Sequence, residues 1–220
     1  MTIRLSEVSV SFGAHLALSN INLELNAPTV AVIGANGSGK STFARLLNGL
    51  TSPTKGTVTV FGNKPNTKET SFIFSNPDLQ IVMPTVYEDV AYSLQDQKLT
   101  KTEIAAKVGA ALAELGIEGL ANQTCQSLSS GQKQLLALAG AYVRKPRLLV
   151  ADEPTTLLDL PNTNRISKVL KNFGAEQLVV VTHDLELANS FQEVIWFDSG
   201  QVRLQGEASK VIKAYRKFYA

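Results

Sequence analysis

A glycine-rich segment with one lysine carries the strongest chemical signal in the sequence. Residues 34–42 read Gly-Ala-Asn-Gly-Ser-Gly-Lys-Ser-Thr and match the pattern G-x-x-x-x-G-K-[ST] in full. Glycines let backbone N–H groups turn around a phosphate, and the positive end of a following helix adds to the attraction. The pattern predicts that Lys40 reaches the β- and γ-phosphates of a nucleotide and that the Ser41 hydroxyl binds Mg²⁺. The predicted phosphate contacts are Gly34, Asn36, Gly37, Ser38, Gly39, Lys40, Ser41 and Thr42.

The alternative reading of this segment is a strand-to-helix turn that binds nothing. The full match, placed between an apolar strand and a helical segment, argues against that alternative. Kinases, GTPases, helicases and transport ATPases all use such a loop, so further residues must decide what the nucleotide is for.

Three more polar groups follow buried strands. Asp152 and Glu153 end the run that begins at Leu148, and His183 follows the run at 178–181. Ligands of open α/β folds bind at the carboxyl ends of the strands, where these groups should meet. We expect Asp152 to hold Mg²⁺ and Glu153 to polarise the attacking water, with His183 donating to the γ-phosphate. The alternatives are a solvated strand end for the two acids and a structural role for the histidine.

A Ser-Ser-Gly-Gln segment opens a predicted helix in the middle of the chain. Ser129 and Gln132 have the spacing of a capping box, which explains the helix start without any ligand. The same start is also an anion site, because its free backbone N–H groups point outward. Since it lies far along the chain from Lys40, we expect it to serve a phosphate bound by a second copy.

The elements that must position these groups alternate between strand and helix patterns. Period-two alternation predicts two N-terminal strands, apolar runs predict buried strands, and i, i+3, i+4 spacing predicts helices. A capping box at Thr100 and Glu103 marks one helix start. The predicted strands lie at about 3–10, 21–25, 29–33, 55–61, 148–150, 178–181, 194–197 and 201–204, and the predicted helices at about 40–50, 86–94, 100–116, 129–139, 163–173 and the C-terminal tail. The sequence therefore predicts an α/β sheet domain with a helical insertion at about 81–147.

Composition excludes several classes of protein. The 220 residues carry 21 Lys+Arg against 19 Asp+Glu, a net charge of +2 without a basic run, which disfavours a nucleic-acid partner. The single cysteine, Cys125, excludes an internal disulfide framework and fits a reducing compartment. No apolar run approaches the ~18 residues of a membrane span, and the N-terminus has no apolar signal core.

Taken together, these segments resemble the ATP-binding subunits of ABC transporters over nearly the whole chain. Residues 34–42 are similar to the Walker A loop, 148–153 to the Walker B strand and 128–132 to the signature motif, while 157–159 resemble the D-loop. The resemblance implies a P-loop NTPase fold of the ABC ATPase type, with a mixed-sheet core, an antiparallel N-terminal β part and a helical subdomain. One domain is expected over 1–220, with its core at about 1–80 and 148–220.

The family resemblance also implies a head-to-tail dimer with two ATP molecules between the chains. Each ATP would contact Lys40 of one chain and the signature residues of the other, which are Ser129, Ser130, Gly131 and Gln132. Leu158 and Asp159 would contribute to the dimer interface, Phe12 would stack on adenine, and His183 would be the switch histidine. The expected cofactors are ATP and Mg²⁺, and the expected activity is ATP hydrolysis coupled to transport.

Two positions depart from the family pattern. Ser130 replaces a glycine of the signature, and its backbone amide is kept, so we expect function to persist. Ser75 stands where the family has a glutamine that contacts Mg²⁺ and the attacking water. A serine hydroxyl reaches less far than a glutamine, so Ser75 is predicted only as a weak Mg²⁺ ligand.

The segments 76–80 and 85–91 are similar to those of the energy-coupling factor importers for vitamins and metal ions. In that resemblance Gln80, Met83 and Tyr87 line a groove for a transmembrane coupling subunit, which works with a substrate-binding membrane subunit. The other reading is that such residues are core of the insertion. The ATPase would be peripheral on the cytoplasmic face of the membrane, as a homodimer or paired with a related ATPase subunit.

The short tail after the last strand pair makes the chain most similar to the ATPase of the biotin importer. Alternative functions are a cobalt or nickel importer ATPase, a soluble ABC ATPase acting on nucleic acid, or a phosphate-loop kinase. The missing heptads of a coiled coil disfavour the DNA-maintenance type. The signature segment and His183 disfavour the kinase.

Overall fold

The alternating and apolar segments of the sequence become strands in the structure, a computed structural model that describes residues 2–220. In chain order the strands of the described residues are β1 (Ile3–Phe12), β2 (His15–Leu25), β3 (Thr29–Ile33), β4 (Lys55–Val60), β5 (Thr70–Ile73), β6 (Leu148–Asp152), β7 (Gln177–Val181), β8 (Glu193–Asp198) and β9 (Gln201–Glu207).

The six predicted helices are found with bounds close to those predicted, and one further helix, at Leu185–Asn189, was not predicted from the sequence. The α-helices of the described residues are α1 (Lys40–Asn48), α2 (Val86–Tyr92), α3 (Lys101–Glu114), α4 (Ser130–Tyr142), α5 (Leu160–Lys171), α6 (Leu185–Asn189) and α7 (Ala208–Tyr219). Short 3₁₀ turns occupy Pro77–Leu79, Glu118–Leu120 and Cys125–Ser127. None of the helices in residues 2–220 combines the length and apolar character that a bilayer span requires.

The described chain divides into two units. The first contains residues up to 72 together with 147–153 and 176–220, and the second contains 73–146 and 154–175. The prediction assigned 154–175 to the core, whereas the structure groups it with the helical part. The reason is that α5 is tied to α3, because the Arg165 guanidinium donates to the carbonyls of Leu115 and Gly116 at 3.0 and 2.9 Å.

A mixed sheet forms the centre of the first unit. Its strand order is β5-β6-β7-β3-β8-β9, with β7 parallel to β6 and β3, β8 parallel to β3, and β9 antiparallel to β8. Strands β3, β6 and β7 are buried along nearly their whole length, which explains their continuous apolar runs. The predicted mixed sheet and the C-terminal strand pair are confirmed.

A second, antiparallel sheet contains the N-terminal strands. Its order is β2-β1-β4, with Ile3 paired to Leu25 and to Val60. The inward residues of β1 alternate with polar ones, as the period of two predicts. The predicted antiparallel N-terminal part is confirmed.

The sequence did not predict strand β5. Its residues Thr70 and Ser71 are polar yet buried, so the segment has no apolar run. The Thr70 hydroxyl accepts a hydrogen bond from Asn48 Nδ2 at 2.7 Å and donates to the carbonyl of Asn66 at 2.6 Å. The Thr70 hydroxyl is therefore satisfied in part by Asn48, a partner distant in sequence that local pattern reasoning cannot see.

Candidate active site

The strongest sequence motif forms the turn between β3 and α1. Gly39 precedes α1 with φ of +100°, and a Cβ at this position would lie 2.7 Å from Leu18 Cδ2 and 2.8 Å from the Ala17 carbonyl oxygen. Both the left-handed backbone and the close approach require glycine. The turn therefore presents the start of α1, with its free N–H groups, at the carboxyl edge of the parallel strands.

Lys40 is held inside this turn. Its ammonium donates to the carbonyls of Gly34 and Ala35, both at 2.9 Å, and the side chain is buried. Burial lowers the pKa of Lys40, and the nearby carboxylates of Glu153 and Asp152 oppose that change. The lysine is thus a desolvated cation whose present partners are neutral carbonyls, so an anionic oxygen would be a stronger partner.

Ser38 gives a second indication of a ligand at the turn. Its residue is 4% exposed, and its Oγ has no hydrogen-bond partner among the described residues. A buried hydroxyl without a partner is costly, and at a helix start lined by N–H groups it fits a phosphate oxygen.

Ser41 and Asp152 meet beside the lysine although they are far apart in sequence. The Ser41 hydroxyl donates to Asp152 Oδ1 at 3.0 Å. Burial raises the pKa of Asp152, and the bond from Ser41 opposes that rise. No group of three or more His, Cys, Asp or Glu in residues 2–220 is arranged to hold a metal ion. One hydroxyl and one carboxylate are the donor set that Mg²⁺ uses when substrate phosphates complete its shell, so the residues fit the ion.

Glu153 and His183 form a pair at the same edge of the sheet. The Glu153 carboxylate lies 2.6 Å from His183 Nδ1, so the imidazole donates to it through Nδ1–H. The Glu153 N–H donates to the Val181 carbonyl at 2.9 Å, and φ of +53° places Glu153 in the left-handed region. A non-glycine residue in this region carries backbone strain, which is common at functional positions.

A cavity of about 280 Å³ in the first unit is lined by Lys40, Ser41 and Glu153 among others, but not by Asp152 or His183. Phe12 lines it and is 54% exposed, which allows a flat ring to be stacked on it. Sequence reasoning missed His15 and Ala17, which also line the cavity. No local pattern marked His15, because it reaches the cavity only through its pairing with Phe12 at the closure of the β1–β2 hairpin. The lining residues are Phe12, His15, Ala17, Asn36, Gly37, Ser38, Gly39, Lys40, Ser41, Thr42 and Glu153.

The predicted signature segment starts α4 in the second unit. Ser129 Oγ accepts from the Gln132 N–H at 3.3 Å, and Gln132 Oε1 accepts from the Ser129 N–H at 2.8 Å, which confirms the capping box. The side-chain oxygen of Gln132 is therefore already hydrogen-bonded at the start of its own helix. The Ser129 hydroxyl keeps its proton for an outside acceptor, and Ser130 is exposed.

The predicted D-loop lies before α5 in the same unit. Asp159 caps that helix through its side chain, and Leu158 precedes it with intermediate burial. Leu157 is 96% exposed with φ of +64°. This side chain is therefore free to be covered by another chain.

One cavity of the second unit coincides in part with the predicted partner groove, which stays a prediction. A cavity of about 430 Å³ in the second unit is lined by Met83 but not by Gln80 or Tyr87. Gln80 instead ends the 3₁₀ turn, and its Oε1 accepts from the Phe74 N–H at 3.0 Å. Ser75 is exposed in the same unit. Its proposed contact with Mg²⁺ stays a prediction.

Comparison with known proteins decides the family. The sequence model of the ABC transporter family matches residues 18–156. The chain belongs to the ABC transporter family. It is 40% identical to the biotin transport ATP-binding protein BioM of Rhizobium etli, over the full length of both chains. It is 36% identical to the energy-coupling factor transporter ATP-binding protein EcfA1 of Lactiplantibacillus plantarum, over 84% of this chain and 69% of that one.

Solved structures agree with this family. The structure of cbiO1 from Clostridium perfringens, part of the ABC transporter complex cbiONQ, has a TM-score of 0.85 and 30% identity over 97% of this chain and 91% of that one. A dimeric post-hydrolysis structure of the ATP-binding cassette MJ0796 with ADP and Pi has a TM-score of 0.83. It is 27% identical in sequence, over 94% of this chain and 98% of that one. The chain is therefore an ABC-type ATPase with the ABC ATPase fold, of the energy-coupling factor type.

Proposed function

We propose that this chain is the ATP-hydrolysing subunit of an energy-coupling factor importer whose cargo is biotin. The observation that supports biotin as the cargo is the full-length similarity to the biotin transport protein BioM. The reaction is supported by the buried lysine, the Ser41–Asp152 pair and the Glu153–His183 pair, which share one edge of the parallel strands.

In this proposal the turn and α1 bind the triphosphate. Lys40 exchanges its two carbonyl partners for phosphate oxygens, and the Ser38 hydroxyl gains the partner that it lacks within the described chain. Ser41 and Asp152 hold Mg²⁺, which neutralises part of the phosphate charge when bound. Phe12 stacks on the base at the mouth of the same cavity.

Glu153 acts as the general base for the attacking water. Its carboxylate has an acceptor lone pair for a water proton, while His183 fixes its orientation through the 2.6 Å contact. The exposed ring of His183 leaves Nε2, which donates to a γ-phosphate oxygen when both ring nitrogens carry a proton, so one imidazole orients the base and senses the phosphate.

The second half of the ATP site comes from another copy of the chain. ATP carries about four negative charges, and one lysine with Mg²⁺ neutralises only part of them. The α4 start, with Ser129 and Ser130 exposed, offers hydroxyl and backbone donors to that charge. The dimeric cassettes to which the fold is similar support this arrangement.

We place the protein on the cytoplasmic face of the membrane, bound to a transmembrane coupling subunit and a substrate-binding membrane subunit. The cavity lined by Met83 and its neighbours is the proposed docking surface. Closing and opening of the ATPase dimer would drive the membrane partners through this contact.

Uptake in the cell of origin tests the cargo. The chromosomal change Glu153→Gln should abolish accumulation of radiolabelled biotin and leave cobalt and nickel uptake unchanged. A normal rate of biotin uptake, with loss of metal-ion uptake instead, would assign the chain to the alternative importer. Tight binding of the purified chain to DNA or RNA at physiological salt would favour the nucleic-acid alternative.

A further inference from the structure

One side chain in the first turn of α5 contacts both of the segments that are proposed to reach the opposite ATP. Asn162 donates to Asp159 Oδ1 through its Nδ2 at 2.7 Å and through its backbone N–H at 3.0 Å. Asp159 belongs to the proposed dimer segment that ends at the start of α5. The Asp159 carboxylate is thus fixed in one orientation by two donors of the same residue.

The other side of the Asn162 carboxamide lies against the start of α4. A Cβ at Gly131 would be 2.5 Å from Asn162 Oδ1 and 2.6 Å from its Cγ. Real Cβ atoms are not found so close to other atoms, so Gly131 and Asn162 fill each other's space. The signature turn therefore rests directly on the carboxamide that holds Asp159.

Neighbouring contacts make this junction stiff. Arg165, one turn further along α5, donates to two carbonyls at the end of α3. Lys133, one turn into α4, pairs with Asp78 at 2.8 Å. Both helices are therefore anchored beyond the junction, and the position of Asn162 is set by the unit as a whole.

We infer that Asn162 is a positioning residue that fixes the signature turn at Ser129–Gly131 relative to Asp159, so that both meet the opposite ATP together. This inference rests on the proposed two-chain ATP site. It goes beyond that site because Asn162 contacts neither ATP nor a reacting atom in it. Its effect is limited to the steps that need two chains.

The first variant removes the carboxamide. Asn162→Ala should leave the affinity for ADP, which reports the Lys40 cradle of a single chain, within twofold of the unchanged protein. In the Glu153→Gln background the ATP concentration that gives half-maximal dimer should rise at least tenfold. At saturating ATP, kcat should fall about 10- to 100-fold, since small misplacements of binding groups carry effects of this size.

A second variant separates the hydrogen bond from the filling of space. Asn162→Asp keeps the side-chain shape but replaces the Nδ2 donor by an oxygen that repels the Asp159 carboxylate. A residue that only fills space predicts normal kcat for this variant. The inference predicts a loss at least as large as that of Asn162→Ala.

The matched control is Asn164→Ala, the same chemical change two residues further along α5 at an exposed position. It should match the unchanged protein in dimer formation and kcat. The inference is overturned if Asn162→Ala keeps dimerisation and kcat within twofold, or if ADP affinity and melting temperature fall together with them. If the unchanged protein neither dimerises with ATP nor hydrolyses it, the proposed two-chain site fails, and the inference fails with it.

Discussion

The chemistry of single residues depends on partners that lie far away in sequence. Ser41 and Asp152 are 111 positions apart, and Glu153 and His183 are 30 apart, yet each pair is in hydrogen-bond contact. The buried strands β6 and β7 bring them together, because their residues Asp152 and Val181 are register partners. The first turn of α1 then adds Lys40 and Ser41 at the same edge.

Removing the proposed base gives the first prediction. Glu153→Gln should lower the rate of ATP hydrolysis by about 10²- to 10⁴-fold, because the amide cannot accept the proton of water. ATP binding should remain, since Lys40 and Ser41 are unchanged. Steady-state hydrolysis and equilibrium nucleotide binding measure the two quantities. A variant that hydrolyses ATP at the normal rate would remove Glu153 from the mechanism.

The buried carboxylate of Asp152 gives a pH-dependent prediction. Its pKa is raised by burial above the ordinary 3.8, so the folded protein binds this proton more tightly than the unfolded chain does. The stability that protonated Asp152 contributes is therefore lost as the pH rises from the ordinary pKa of the unfolded chain through the higher pKa of the folded protein. Asp152→Asn removes that loss and keeps an acceptor for Ser41.

We therefore expect Asp152→Asn to melt at a higher temperature than the unchanged protein at pH 7 without nucleotide. The difference should shrink as the pH is lowered below the ordinary 3.8, where the Asp152 carboxyl is largely protonated in both the folded and the unfolded protein. The same variant should hydrolyse ATP poorly. Melting curves of both proteins across this pH range measure the difference in melting temperature. A difference that does not depend on pH would contradict the ionisation of buried Asp152 as its cause.

At the scale of single residues, motif spacing predicted most of the site but not its supporting contacts. The cradle and the two acids have local patterns with a defined physical purpose. His15 and Asn162 have none, because their roles come from a hairpin closure and from a junction of two helices. Contacts of this kind depend on tertiary packing, which no local pattern contains.

At the scale of elements, the turn before α1 depends on glycine and α3 does not. Gly39→Ala should destabilise the fold by about 1–3 kcal/mol and weaken nucleotide binding, because the new Cβ meets Leu18 and Ala17 at a left-handed position. Gly109→Ala is the matched control, since a Cβ there would meet no atom within 4 Å apart from its chain neighbours and the nearby backbone of α3 itself.

Gly109→Ala should raise stability by roughly 0.5–1 kcal/mol and leave nucleotide binding unchanged, because alanine favours the helix. Chemical denaturation of both variants measures the two changes. Equal effects at the two positions would show that the turn before α1 is not under the constraint described.

Element types were predictable where the periodicity was strong, and less so where polar residues were buried. The long runs of β3, β6 and β7 and the capping boxes of α3 and α4 are found as expected. A third capping box at Thr85 and Glu88 starts α2. Strand β5 escaped prediction because it begins with two buried polar residues, and the Thr70 hydroxyl is satisfied by the distant Asn48 and by the Asn66 carbonyl in the preceding loop.

For the whole molecule, order along the chain did not give the grouping in space. The segment 154–175 follows a core strand in sequence but belongs to the helical unit, where Arg165 and Asn162 attach α5 to α3 and α4. The consequence is that the proposed D-loop and signature lie in the same unit. The proposed two-chain site requires both of these segments from the opposite copy.

The central claim is that ATP joins two copies of this chain through the Ser129–Gly131 turn. The most direct measurement is the mass in solution of Glu153→Gln, with and without ATP and Mg²⁺, by light scattering. We predict a change from the 23.7 kDa monomer to twice that mass with ATP. The added change Ser129→Arg should prevent this dimer while ADP binding persists. A mass that does not respond to ATP, in a protein that binds it, would contradict the account.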